Sequence, residues 1–64
     1  MKKLKDYRLK LGMTMKQVAQ KLDITESSVC LHENGARTPN IEILQRYAQW
    51  FNCKVDDLLD AEEG

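Results

Sequence analysis

The chain has 64 residues, among them three glycines, one proline and two cysteines, and ten Lys/Arg balance ten Asp/Glu at a formal net charge of +0. A chain this short buries only about 60% of its unfolded surface, so residues 1–64 are expected to form one domain around a small core, with no room for an enzyme's pocket. Two cysteines far apart in sequence exclude a secreted disulfide framework, and the short apolar runs exclude a membrane span or signal-peptide core, so the chain is expected to be cytoplasmic.

The neutral total hides an asymmetry. Residues 1–22 carry seven basic residues and one acid, whereas residues 23–64 carry three basic residues and nine acids. Such a dipole can present a basic face to nucleic acid while the acidic end stays in solvent.

Lys2–Leu11 places Leu4, Tyr7, Arg8 and Leu11 on one helical face, and Gly12 ends that helix as a C′ glycine. Thr14 caps a second helix, Met15–Leu22. Val18, Ala19 and Leu22 form its apolar stripe, with Lys16, Gln17, Gln20 and Lys21 turned away. Asp23-Ile24-Thr25 is a tight turn, and Thr25 caps a third helix, Glu26–Asn34, which Gly35 stops. After the loop Gly35–Pro39, Asn40 caps a fourth helix that runs to about Phe51. Ile41, Leu44, Ala48 and Phe51 make one buried stripe of it, and Ile43, Tyr47 and Trp50 make a second. Val55, Leu58 and Leu59 give a short fifth helix, and the acidic tail from Asp60 to Gly64 is expected to fray.

Two helices of eight or nine residues joined by a three-residue turn form a helix-turn-helix unit over about 14–35. Ala19 is the small residue at the helix crossing, and Val29 plugs the core.

These residues resemble the phage Cro and repressor helix-turn-helix family, the xenobiotic-response-element type. The resemblance is carried by Tyr7-Arg8, Leu11-Gly12, Thr14, Val18-Ala19, Leu22, Ile24-Thr25, Val29, Glu33-Asn34-Gly35, Arg37, Pro39 and Val55 to Leu59. It implies an all-α, lambda-repressor-like DNA-binding domain of five short helices. It also implies a bacterial or phage-encoded transcriptional regulator that acts as a repressor on double-stranded DNA. The third helix would enter the major groove, and an arginine of the first helix would pair with a glutamate near the end of the third, here Arg8 and Glu33. A part-buried arginine in an apolar stripe needs such a partner on physical grounds as well.

At 100° per residue from Glu26, Val29 falls at about 300°, and Ser27, Leu31 and Ser28 cluster around the opposite direction. The family's base-contacting positions fall on Glu26, Ser27, Ser28 and Leu31. A serine hydroxyl both donates and accepts, Leu31 can lie against a thymine methyl, and Glu26 can accept from cytosine N4. No bidentate contact is evident, so shape readout is expected to carry a larger share. Phosphate anchoring is expected from the helix N-termini at Thr14 and Thr25, from Lys16 and Gln17, and from Asn34 and Arg37, which match phosphate-touching positions of the family.

The departures are specific. Met15 stands where a glutamine commonly opens the second helix and is expected to pack. Asp23 stands where the turn usually has glycine, and aspartate tolerates the left-handed region at moderate cost. His32 replaces a larger apolar residue. Cys30 and His32 face about 200° apart on the helix, so no metal is expected, and no cofactor is implied. Ile43 and Trp50 occupy positions that are usually small or polar. With Val55 they form a candidate surface for a two-fold homodimer, which would set two reading helices about 34 Å apart. Alternatively, Trp50 folds over the fifth helix to complete a monomer core. The rival function is a protein-interaction module of the same fold, an antitoxin or antirepressor component with weak or no specific DNA binding.

Overall fold

Three of the helices begin where an N-cap side chain takes up a stranded backbone N–H. In the computed structural model, which describes residues 1–59, the elements are α1 (Lys2–Lys10), α2 (Met15–Leu22), α3 (Glu26–Asn34), α4 (Ile41–Phe51) and α5 (Val55–Leu58). The Thr14, Thr25 and Asn40 side chains accept the N–H of Gln17, Ser28 and Ile43, each cap contributing about 1 kcal/mol. The expected fraying of residues 60–64 lies outside the described residues.

The first four helices end by left-handed turns. Gly12 and Gly35 supply two of them, and Asp23 and Asn52 supply the others at φ 59° and 56°. Asp23 therefore takes the conformation expected of a glycine there, which fixes the tight angle between α2 and α3.

Leu4, Val18, Leu22, Val29, Tyr47 and Leu58 are fully buried, with Ala19, Leu44, Ala48 and Phe51 around them. The core thus draws on all five helices, with α2 and α3 packed most extensively on one another. Tyr7 stacks on Phe51 at 5.8 Å between ring centroids, tying α1 to α4.

Three details depart from the periodicity. Leu11 is 50% exposed because α1 closes at Lys10 and Leu11 is already its cap. Ile41, expected in a buried stripe, is 62% exposed, since it opens α4 beyond the edge of the core. Leu59 leaves the helix in an extended conformation.

Candidate nucleic-acid interface

The helix-turn-helix is held from beneath by a buried ion pair. Arg8 Nε and Nη2 donate to the two carboxylate oxygens of Glu33 at 2.6 and 3.2 Å, and Nη1 donates to the Met13 carbonyl at 2.9 Å. Both side chains are nearly excluded from solvent. One guanidinium therefore ties α1, the approach to α2 and the end of α3, and its planar fork suits this task better than an ammonium.

The outward side of α3 carries Glu26, Ser27 and Cys30, all exposed, with Ser28 and Leu31 half-buried beside them. Val29 points the other way and is fully buried. Ser28 is engaged locally: Thr25 Oγ1 accepts its N–H at 3.1 Å, and the two hydroxyls share a hydrogen bond at 2.9 Å. The Glu26 and Ser27 N–H groups remain at the open end of the helix, with the positive end of its dipole.

At α2, Thr14 and Gln17 form a reciprocal capping box. Gln17 N–H donates to Thr14 Oγ1 at 3.0 Å, and Thr14 N–H donates to Gln17 Oε1 at 2.8 Å. The Thr14 N–H, expected to be free for phosphate, is thereby occupied, and Met15 and Lys16 supply the open N–H groups. Gln17 keeps its amide nitrogen to donate outward. The spacing Thr-x-x-Gln is a sequence signature of this box, and it bears on the role assigned to Gln17. Met15 packs against the core.

Beyond α3, the Asn34 side-chain oxygen accepts the Ala36 N–H at 2.9 Å, which leaves its amide nitrogen outward. Arg37 is exposed, and its N–H donates to the Leu31 carbonyl at 3.2 Å, closing the loop under the end of α3.

Periodicity alone missed one buried polar pair. His32 Nδ1 and the Tyr47 hydroxyl share a hydrogen bond at 2.9 Å, with the rings edge to face at 5.8 Å. Both residues are almost fully buried. The signal was a tyrosine within an apolar stripe, whose hydroxyl needs a partner once buried. Burial, then the nearby Arg37 and N-terminal ammonium charges, hold His32 below the ordinary imidazole value. Burial and then the Glu33 charge push the Tyr47 phenol well above its own. Cys30 lines a shallow cleft with Lys5, Met15, Glu33 and Asn34, away from His32. Among the described residues no three His, Cys, Asp or Glu side chains converge as a metal site would require, and no helix is long and apolar enough to cross a membrane.

On α4, Trp50 is 48% exposed and does not complete the core. Lys21 of α2 instead lies across its ring at 4.9 Å from the centroid. Ile43 and Val55 are half-buried and pack against the core. Arg46 donates to the Leu22 carbonyl at 2.9 Å, satisfying the end of α2.

A capped helix, a left-handed three-residue turn and a second capped helix with a hydroxyl-bearing outer face together make a helix-turn-helix of the DNA-reading kind. The chain belongs to the Cro/C1-type helix-turn-helix family: the family's model, described as helix-turn-helix, matches residues 4–58. It is 34% identical over 62 residues to the HTH-type transcriptional regulator ImmR of Bacillus subtilis, covering 97% of this chain and 49% of that one. An HTH-type transcriptional regulator of Archaeoglobus fulgidus is 29% identical over 63 residues, covering 95% of this chain and 90% of its own length. Among solved structures, the N-terminal DNA-binding domain of SinR from Bacillus subtilis superposes with a TM-score of 0.83 at 25% identity, covering 97% of this chain and 91% of that one.

Proposed function

We propose that this DNA-binding transcriptional regulator is a sequence-specific, repressor-like reader that lays α3 in the major groove and acts by occupying an operator. Glu26, Ser27, Ser28 and Leu31 face bases. Thr14, Lys16, Gln17, Thr25, Asn34 and Arg37 border the phosphates, with Thr14 and Thr25 acting through the helix ends they cap. The observation that carries this reading is the outer side of α3, where exposed polar residues stand opposite the buried Val29. The open N–H groups at the starts of α2 and α3 add two anion-binding ends.

Two copies are proposed to meet through α4 and the segment at Val55, in the cytoplasm and on DNA, because one Ser-Ser-Leu face offers little discrimination by itself. The exposed Trp50 supports this, since aromatic residues concentrate binding energy at interfaces. The same exposure, with that of Ile41, favours the second reading, a module whose α4 surface engages another protein.

Duplex binding measured against salt tests the reading. Each phosphate contact contributes about 0.9 to the slope of log affinity on log salt. Lys16→Ala and Arg37→Ala are each expected to lower that slope by about this amount. A slope unchanged by both substitutions contradicts it.

A further inference from the structure

Lys5 stands three positions before Arg8 on α1, so the two side chains leave the same face of the helix. Arg8 runs inward to Glu33 and the Met13 carbonyl. Lys5 stays exposed. It borders the cleft lined by Met15, Cys30, Glu33 and Asn34, where α1, the start of α2 and the end of α3 meet. The charges at this corner do not cancel. Both Glu33 oxygens accept from Arg8, and no acid among the described residues lies within ion-pair distance of Lys5. The other lysines of α1 are placed differently. Asp6 lies three or four positions from Lys2, Lys3 and Lys10, where helical side chains meet, but it is only the next residue after Lys5, where they do not.

Three kinds of donor border this corner. Asn34 Oδ1 accepts the Ala36 N–H, which leaves the amide nitrogen outward. The N–H groups of Met15 and Lys16 lie in the first turn of α2, where a helix offers them no partner. Lys5 adds an ammonium with three donors.

We propose that this corner holds a phosphate of the DNA backbone and that Lys5 is its charged ligand, so that α1 contacts the duplex as well as α2 and α3. This rests on the reading that α3 lies in the major groove: with Asn34 and the start of α2 bordering phosphates, the cleft between them is turned to the same backbone. An ammonium on a flexible stem follows a phosphate as a point charge. Lys5 therefore adds affinity and register without base preference.

The test measures affinity against salt on the duplex that the wild type enriches from a randomised pool. The variants are Lys5→Gln, Lys5→Arg and, as a control on the same helix, Lys3→Gln, each first checked for an unchanged urea midpoint. Lys5→Gln is expected to lower the slope by about 0.9, so that the wild type loses about 3-fold more affinity than the variant between 50 and 200 mM salt. Lys5→Arg should keep the slope, and Lys3→Gln should change it much less. Replacing single phosphates by neutral methylphosphonate should reveal one position that weakens the wild type several-fold and Lys5→Gln little. If Lys16→Ala and Arg37→Ala lower the slope but Lys5→Gln does not, the assignment of Lys5 is overturned and the proposed function stands. An equal effect of Lys3→Gln, or no phosphate coupled to Lys5, overturns it too, leaving only the general charge of α1. If the wild type enriches no duplex, or no substitution lowers the slope, the proposed function fails and the assignment with it.

Discussion

Arg8 and Glu33, 25 positions apart in the chain, meet through two hydrogen bonds at 2.6 and 3.2 Å beneath the helix-turn-helix. The pair fixes the end of α3 relative to α1, and so the angle at which the outer face is presented. Removing one partner strands a buried charge. Glu33→Gln is therefore expected to lower unfolding stability by about 3 kcal/mol, and Arg8→Met together with Glu33→Leu by much less than the sum of the single changes. Urea denaturation of the two singles and the double variant measures both.

His32 gives stability a pH dependence of known sign. Its folded value lies below the ordinary 6.5, so the folded chain refuses a proton that the unfolded chain accepts. Above pH about 6.5 both states are neutral and the residue contributes no slope. As pH falls below that value, stability is lost by at most about 1.4 kcal/mol per pH unit, until the depressed folded value is reached. Urea midpoints between pH 7.5 and 5 should fall for the wild type and fall less for His32→Gln. Tyr47→Phe, which leaves Nδ1 buried without its partner, is expected to cost about 1–3 kcal/mol at neutral pH.

Trp50→Ala separates folding from assembly. The indole is half exposed and Lys21 lies across its ring, a cation–π pair of about 0.5–1 kcal/mol at such a site. Stability should fall by little more than that. On an operator with two half-sites, sedimentation is expected to show two chains for the wild type and one for the variant. Two chains for both would remove Trp50 from the interface.

The turn between α2 and α3 depends on Asp23 at φ 59°. Asp23→Val forces a β-branched residue into the left-handed region and is expected to cost about 1–2 kcal/mol or more. Asp23→Gly relieves the strain and should hold or raise the urea midpoint.

Much of this architecture was legible because caps and stripes agree along the chain. Thr14, Thr25 and Asn40 mark three helix starts, and Val18, Ala19, Leu22 and Val29 fix which sides face inward. Periodicity overreached at helix ends. Leu11 and Ile41 share an angle with buried residues, but they lie beyond the core, and rotation alone carries no information about depth. It also could not pair residues across the fold. The meeting of His32 with Tyr47, or of Lys21 with Trp50, depends on how α2 and α3 pack against α4, which no single helix encodes.

Selection of duplexes from a randomised pool by the wild-type chain at about 150 mM salt, where non-specific attraction is already weakened, tests the central claim most directly. A palindrome with half-sites about 34 Å apart is the expected result, from one α3 reading each half. Retention of duplex only at low salt, with no sequence enriched, would contradict it.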